Sequence, residues 1–273
     1  MQKQQTNVSW LTAGVFLFFH IVAIATVWLS FSWRMAILAA VVWFVSGSLG
    51  IGVCFHRLLT HRGYEVPKWL EYLLTICGLL AFQGGAIKWV SQHRLHHAKS
   101  DIPREDPHSP RDGILHAHIG WMVFKNTQTL EPERLKRLVN DLLRDRNHRL
   151  LEKFFWLPIA LLFAILLFAV GWQAALWATI VPVVVGWNFT WAVNSITHTW
   201  GSRPCPTNDD SRNNAWLALP TFGESWHNYH HYDPVYARHG RKWYQIDVNW
   251  LIIRGLSLIG LVQKIKSPRP LPN

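Results

Sequence analysis

Long apolar runs separated by two long polar stretches dominate this chain of 273 residues. A helix needs about 20 mostly apolar residues to cross about 30 Å of hydrocarbon. Four runs satisfy this condition, and short turns join the first two and the last two, so the pattern predicts two helical hairpins in a membrane. The predicted spans are residues 11–29, 35–55, 154–170 and 174–196.

The polar stretches, residues 56–153 and 197–273, are predicted to form a helical cap on one side of the membrane. Nearly all of the 27 Lys and Arg residues lie in these stretches, and the hairpin turns hold almost none. Because loops rich in Lys and Arg stay in the cytoplasm, both termini and the cap are predicted to be cytosolic. The first apolar run is too long for a signal peptide, so no cleaved leader is expected. The predicted fold class is all-α, in a single domain over residues 1–273.

A fifth apolar run, residues 70–87, has helical periodicity but ends in a Gln-Gly-Gly sequence. If this run crossed the membrane, the histidines that precede it and those that follow it would lie on opposite sides. We therefore predict an interfacial helix here. Two further amphipathic helices are predicted, a solvated one over residues 130–151 and one lying on the membrane over residues 247–264.

The composition supports a membrane protein, because half of the residues are hydrophobic and only 16% are charged. Soluble proteins average about a quarter charged residues. The formal charge of +11 belongs to the polar stretches, and no nucleic-acid partner is predicted. The three cysteines, Cys54, Cys77 and Cys205, are widely spaced, so neither a disulfide framework nor a thiolate metal site is expected.

Nine of the 15 histidines fall into four short patterns. Two triplets have spacings of three and four residues, which place all three rings on one helical face. The first pair is five residues apart, which puts its rings roughly 140° apart on an ideal α-helix, so the second span is predicted to end or bend there. The nine are His56, His61, His93, His96, His97, His198, His227, His230 and His231.

Clustered imidazoles predict a metal centre, because a neutral ring is a good ligand for iron, zinc, copper or nickel. Each ring supplies one bond, so nine rings suit two ions with four or five nitrogens each. The isolated His20, His148 and His239 are better explained as surface or core residues, and the roles of His116 and His118 stay open.

Two other kinds of metal protein fit the sequence less well. Soluble di-iron proteins use Glu-x-x-His pairs, which occur here at residues 105–108 and 224–227. The first pair contains Pro107, and the spans hold no carboxylate, so a carboxylate-bridged centre is not expected. A metal transporter places ligands inside the bilayer. These histidines lie at or beyond the helix ends, which favours a catalytic centre at the membrane surface.

The type, order and spacing of these motifs resemble the membrane fatty-acid desaturases of the delta-9 (stearoyl desaturase) family. The matching segments are residues 56–64, 93–97, 106–108, 194–198 and 223–231, and the resemblance runs from about residue 35 to 265. It implies four spans and a cytosolic cap holding a di-iron centre. One iron would be held by His56, His61, His93, His97 and His230, and the other by His96, His198, His227 and His231, with Asn194 reaching the second through a water.

The resemblance also implies the reaction and its cofactors. Members of the family use two iron ions, dioxygen and two external electrons to remove hydrogen from adjacent methylenes of an acyl chain, leaving a cis double bond. No cytochrome b5 domain is expected in this chain, so a separate carrier such as ferredoxin or cytochrome b5 would supply the electrons. The basic cytosolic surface suits an acidic carrier, and it also suits anionic lipid.

Three positions depart from the animal enzymes where those contact coenzyme A, namely Gly84, Ser91 and Gln92. An acyl-lipid substrate is therefore favoured over acyl-CoA. The sequence around residues 89–97 and 237–247 is closer to cyanobacterial and plant members, which favours an enzyme of the bacterial inner membrane or the thylakoid.

By analogy with the family, Phe44 and Ser48 close the end of an acyl tunnel and Trp191 lies near the bent chain. The alternative for Trp191 is a simple interfacial aromatic residue. Two rival functions stay open: a histidine-rich di-iron fatty acyl hydroxylase, and a non-enzymatic membrane protein that binds or transports metal.

Overall fold

The computed structural model describes residues 8–124 and 132–272, and regular structure in these residues is helical apart from isolated β-bridges. The helices of six or more residues are α1 (Trp10–Ser30), α2 (Trp33–Thr60), α3 (Lys68–Leu79), α4 (Ala86–Lys99), α5 (Pro132–Leu143), α6 (Arg146–Lys153), α7 (Leu157–Ala169), α8 (Trp172–Ile196), α9 (His227–Tyr232) and α10 (Val248–Leu258).

Three of these helices, α1, α2 and α8, are long and apolar enough to cross a membrane. The helix α7 has 13 residues, and it becomes a fourth candidate only when joined to α6 across a bend of 56°. Helices α1 and α8 agree with their predicted spans to within two residues, whereas α7 begins three residues later than predicted. Pro158 lies in the first turn of α7, where its missing N–H costs no helical hydrogen bond.

The second half of α2, Phe44–Thr60, is wound as a π-helix. In this winding each backbone N–H bonds to the carbonyl five residues back, as the His61 amide does to His56 at 3.2 Å. Residues five apart then lie near one another, and the ring centres of His56 and His61 are 4.9 Å apart. The predicted separation of the two rings assumed α-helical winding and is wrong, although α2 does end at Thr60, just before His61.

The fifth apolar run forms α3 and then a turn rather than one continuous helix. The turn passes through Phe82 and Gly84, whose φ angles of 51° and 94° are left-handed. Helix α3 packs closely on α2, and a Cβ added to Gly50 would lie 2.3 Å from the backbone nitrogen of Gly78. Because the chain reverses before α4, the histidines of α4 come to the end of α2 that carries His56.

Helix α8 packs against α1, α2 and α7 and forms the centre of the apolar bundle. The outward side chains of the bundle are apolar and more than half exposed, including Leu17, Ile24 and Phe168. An apolar surface of this extent suits contact with hydrocarbon rather than water.

The charged stretch after residue 130 forms two helices, α5 and α6, where one was predicted; residues 130 and 131 lie outside the described residues. The side chain of Asp145 caps α6 by accepting the Asn147 and His148 amides. Arg94 ties α4 to its neighbours, since it donates to the carbonyls of Leu59 and Leu138.

Candidate metal centre

Four segments bring the nine histidines together. His56 and His61 lie at the end of α2, the first triplet lies on α4, and the second triplet lies on α9. His198 follows the last turn of α8. These segments meet although α9 is more than 160 residues from α2, so the centre exists only in the folded chain.

The first group of histidines places five ring nitrogens within 4.8 Å of one another. The Nε2 atom of His230 lies 3.0 Å from that of His56 and 2.9 Å from that of His97. The Nε2 atoms of His93 and His97 are 3.1 Å apart. The members are His56, His61, His93, His97 and His230.

The second group places four nitrogens within 4.8 Å of one another. The Nε2 atom of His227 is 3.0 Å from those of His198 and His231. The members are His96, His198, His227 and His231. The two groups adjoin, since the rings of His97 and His231 stack with centres 4.4 Å apart. This division into five and four is the one that the resemblance implies.

Carboxylates lie behind four of these rings. A carboxylate only accepts hydrogen bonds, so it holds the proton on Nδ1 and leaves the Nε2 lone pair facing the group. The pairs are His56 with Glu224, His96 with Asp106 at 3.0 Å, His198 with Asp101 at 2.7 Å, and His231 with Asp209 at 2.7 Å. Converging Nε2 lone pairs with carboxylates behind them are the donor set of metal-bound histidine. The residues therefore fit two metal ions.

The electrostatics keep most of these rings neutral. Burial, reinforced by the neighbouring imidazoles, lowers their pKa well below the ordinary histidine value, in His61, His93, His97, His227, His230 and His231. Burial also acts to lower the pKa of His96, but Asp106 outweighs it and the pKa is raised. Neutral rings keep the lone pairs that a metal requires.

A buried charge network supports the first group. Arg57 is 1% exposed and donates to Glu224 at 2.8 Å and to Asp247 at 3.1 Å. Asn249 also donates to Glu224, at 2.7 Å. Burial acts to raise the pKa of Glu224, but Arg57 and His56 lower it to about 2. The carboxylate behind His56 is therefore ionised. Sequence reasoning considered Glu224 only as part of the Glu-x-x-His pair at residues 224–227 and missed its place behind His56.

Two cavities meet beside the histidines. Cavity 1 extends between α2 and α8 toward Trp43, Phe189 and Phe222, and none of the described residues in its wall is exposed. Cavity 2 is larger and extends toward α1. Two exposed residues line its wall, Val15 of α1 and Lys88 of α4. The residues common to both walls are Gln83, Trp89, His93, Thr190 and Asn194.

A hydrogen-bonded bridge lies at the junction of the cavities. The Gln83 side chain donates to the Thr190 hydroxyl at 2.9 Å and accepts from the Trp89 indole at 3.1 Å. These residues come from the turn before α4, from α4 and from α8. Sequence reasoning missed this bridge, because nothing local in the sequence indicates which of the three side chains meet.

The residues expected in an acyl tunnel are placed unequally. Trp191 is buried and lines cavity 2, whereas Phe44 and Ser48 line neither cavity. The Ser48 hydroxyl donates to Asn249 at 2.6 Å, and the Phe44 ring packs on Phe222 at 5.8 Å. The π-winding that begins at Phe44 changes which side chains face cavity 1, and Ser48 is buried against Asn249 instead. Trp43, Ser46 and Gly47 line cavity 1 in their place.

Of the positions related to coenzyme A contacts, Gly84 and Gln92 line cavity 2. Ser91 is 1% exposed, and its hydroxyl donates to the Lys88 carbonyl, so it faces the protein interior.

The remaining histidines lie around the two groups or apart from them. The ring of His239 is 4.4 Å from that of His230, and the ring of His108 is 4.4 Å from that of His96. His118 contacts the Ser195 hydroxyl at 3.0 Å. The His20 ring is hydrogen-bonded to Asn188 at 3.0 Å, and the His148 ring is hydrogen-bonded to Glu71 at 2.8 Å. The centre of the His116 ring lies 6.2 Å from that of Phe124.

Comparison with known proteins agrees with this geometry. A family model described as fatty acid desaturase matches residues 28–257. The sn-1 stearoyl-lipid 9-desaturase of Anabaena variabilis is 38% identical, over 95% of this chain and 94% of its own length. The sn-1 stearoyl-lipid 9-desaturase of Synechocystis sp. is 40% identical, over 97% of this chain and 83% of its own length. The sn-2 palmitoyl-lipid 9-desaturase of Nostoc sp. is 37% identical, over 96% of this chain and 91% of its own length.

Proposed function

This chain belongs to the fatty acid desaturase family, and from that premise we propose that it introduces a cis double bond at carbon 9 of a saturated chain held in a membrane glycerolipid. It is an oxidoreductase that desaturates fatty acyl chains. The observation that carries the proposal is the meeting of two cavities beside the two histidine groups. The names of the three cyanobacterial relatives support the lipid carrier and the bond position.

We propose that each histidine group holds one iron ion, with Asn194 beside the second group. Iron bound there supplies the oxidising chemistry, with dioxygen as co-substrate and electrons from a separate carrier such as ferredoxin or cytochrome b5. The carboxylates keep each ring in the tautomer that a ligand needs. The neutral imidazole donors suit iron, but they also suit zinc and copper, so the test includes analysis of the bound metal.

The apolar cavity walls bind and orient the acyl chain. We propose that the chain passes from cavity 2 into cavity 1, so that its central methylenes lie at the junction beside His93. The bridge from Gln83 to Thr190 and Trp89 makes this part of the wall rigid, which restricts which methylenes reach the metal. Trp191 contributes to the wall on the cavity 2 side.

The exposure of the walls sets the direction of the chain. Cavity 2 has exposed residues in its wall, so we assign the carboxyl end to it. Trp43, Phe189 and Phe222 pack together at the far side of cavity 1, with ring centres 5.4 and 4.9 Å from Trp43. We assign the methyl end to this aromatic cluster, in place of Phe44 and Ser48.

We further propose four membrane spans in a single domain. The third span is formed by α7 together with α6, from which α7 is separated by the 56° bend. Both termini, the cap of residues 56–153 and 197–273, and the histidine groups then lie in the cytosol of a bacterial inner membrane or on the corresponding side of a thylakoid. The excess of Lys and Arg in these stretches supports this orientation.

The test is the fatty-acid profile of a bacterial host that lacks an aerobic desaturase and co-expresses a ferredoxin and its reductase. The wild-type protein is expected to add a cis-monounsaturated acid, and a His227→Ala variant is expected to add none. Purified wild-type protein should hold about two irons per chain, since each group offers a nitrogen donor set for one ion. A hydroxy acid in place of the alkene would show a hydroxylase. Bound metal without any oxidised product, with a donor proven on a related desaturase, would contradict the proposal.

A further inference from the structure

The outer part of cavity 2 lies between two helices of the bundle. Its wall there is formed by Thr12 and Val15 of α1 and by Phe155, which precedes α7. Both helices pack against α8. Val15 is an apolar side chain, 37% exposed, that belongs to both the outer surface of α1 and the cavity wall. The cavity therefore reaches the outer surface of the bundle at this point.

The depth of this opening follows from the position of its residues on α1. The helix has 21 residues and a rise of about 1.5 Å per residue, which makes it about as long as the hydrocarbon is thick. Thr12 lies in its first turn, at the headgroup boundary, and Val15 lies about one turn deeper. The topology proposed above places this end in the cytosolic leaflet.

An aromatic stack crosses from α1 to the start of α7 beside the opening. The ring of Phe82 stacks on that of Phe19 and on that of Phe155, each with centres 5.8 Å apart. The Trp187 indole donates to the Phe82 carbonyl at 3.1 Å. This bond holds the backbone of Phe82 in its left-handed conformation. The stack gives the opening a rigid apolar side.

The polar side of the opening carries little charge. Among the described residues that line cavity 2, Lys88 is the only Lys, Arg, Asp or Glu. The nearby Glu152 carboxylate accepts the Ile87 and Lys88 amides at the start of α4. Coenzyme A carries several phosphate charges, and binding them calls for several cations. One lysine suits a single phosphate group at the membrane surface.

We propose that this opening is a lateral portal through which the acyl chain of an anionic glycerolipid enters cavity 2 from the cytosolic leaflet. We define the portal as Thr12, Val15, Gly84, Lys88 and Phe155. The lipid keeps its head group at the surface, with the phosphate beside Lys88, while one acyl chain passes Val15 toward the histidines. The inference rests on the function proposed above and adds the route and the contact that select the carrier.

The test uses purified enzyme in vesicles of phosphatidylcholine that contain deuterated distearoyl phosphatidylglycerol, with ferredoxin, its reductase and NADPH. A Val15→Trp variant obstructs the portal, and Leu17→Trp adds the same bulk at an exposed α1 position that lines neither cavity. The initial rate is expected to fall about tenfold in Val15→Trp and to stay at the wild-type level in Leu17→Trp.

Thr12→Trp obstructs the portal from a second position, and only variants with wild-type iron content and elution volume are compared. A Lys88→Gln variant is expected to lower the rate on the deuterated phosphatidylglycerol about fivefold, and to lower it less on a deuterated distearoyl galactolipid, whose head group has no phosphate. An equal fall on both lipids would overturn the contact between Lys88 and the phosphate.

The outcomes separate the portal from the function on which it rests. Wild-type rates in both Val15→Trp and Thr12→Trp would overturn the portal, while desaturation itself stands. Desaturation of added stearoyl-CoA or stearoyl carrier protein, but not of the vesicle lipid, would overturn the portal together with the glycerolipid carrier proposed above, while desaturation itself stands. If the wild-type enzyme desaturates neither lipid nor thioester with a donor proven on a related desaturase, the proposed function fails as well.

Discussion

At the scale of single residues, the carboxylates behind the histidines decide which ring nitrogen faces the metal. Asp101 is buried and bonds to Nδ1 of His198 at 2.7 Å, so the Nε2 lone pair of His198 faces the second group. Asp101 also accepts the Asp210 amide at 2.8 Å, which holds the carboxylate in place. Its contribution to metal binding acts through the histidine.

We expect Asp101→Asn to weaken metal binding in the second group by about 10- to 100-fold, because an amide can also donate and no longer fixes the tautomer. Iron per chain, measured after dialysis against a weak chelator, should fall from about two toward about one, since each group offers a donor set for one ion. The control is Asp112→Asn, since Asp112 is exposed and its side chain accepts only the Arg104 amide within the described residues. Full iron content in Asp101→Asn would show that the carboxylate does not orient His198.

Two glutamates that pair with a cation should differ widely in their effect on stability. Glu224 is buried between Arg57 and His56, whereas Glu133 pairs with Lys136 on the surface. Glu224→Gln leaves a buried guanidinium short of one partner, and we expect a loss of about 3 kcal/mol. Glu133→Gln breaks only an exposed, solvent-screened pair and should leave the unfolding temperature nearly unchanged. Thermal unfolding in detergent measures both, and equal shifts in Tm would contradict the role of the network.

At the scale of elements, close packing of α2 on α3 depends on glycine. Gly50 faces the backbone of Gly78, where a Cβ would lie 2.3 Å from the nearest atom, whereas Gly14 on α1 has no atom within 4 Å. The same substitution at these two positions therefore separates packing from helix propensity.

We expect Gly50→Ala to lower stability by about 2 kcal/mol or more, since α2 and α3 must move apart. Gly14→Ala should be neutral or stabilising by up to about 1 kcal/mol, because alanine favours helix. Unfolding temperatures of the two variants check this. Similar behaviour of both would mean that the α2–α3 contact tolerates a methyl group.

The helix type at the end of α2 also belongs to this scale. Apolar periodicity predicts a helix here but does not distinguish α-winding from π-winding, since both bury the same residue types. The closeness of His56 and His61 depends on that difference, and so does the position of Gly47 rather than Ser48 at cavity 1.

At the scale of the whole molecule, the proposed topology in a bacterial inner membrane places the hairpin turn after α1 on the periplasmic side and α5 on the cytosolic side. Phe31 lies between α1 and α2 and is 55% exposed, and the side chain of Lys136 on α5 is 62% exposed. In intact cells, an impermeant maleimide is expected to label Phe31→Cys and to label Lys136→Cys only after permeabilisation. The unsubstituted protein measures the background from its three cysteines. The reverse pattern would invert the topology.

The all-helical class, three of the candidate spans and the family could be predicted from the sequence, because hydrophobic length and histidine spacing are local properties that do not depend on packing. It also placed each histidine triplet on one helical face. The assignment of residues to two irons came from the resemblance, and the metal itself stays a proposal.

Which groups meet could not be predicted from the sequence. Asp101 reaches His198 across 97 residues and Gln83 reaches Thr190 across 107, and no local pattern encodes such contacts. The same holds for Arg57 with Asp247, for the cavities and for the portal, since each is a space or a contact between helices. Helix propensity and periodicity act within a few turns of one helix, whereas these features depend on how separate helices pack.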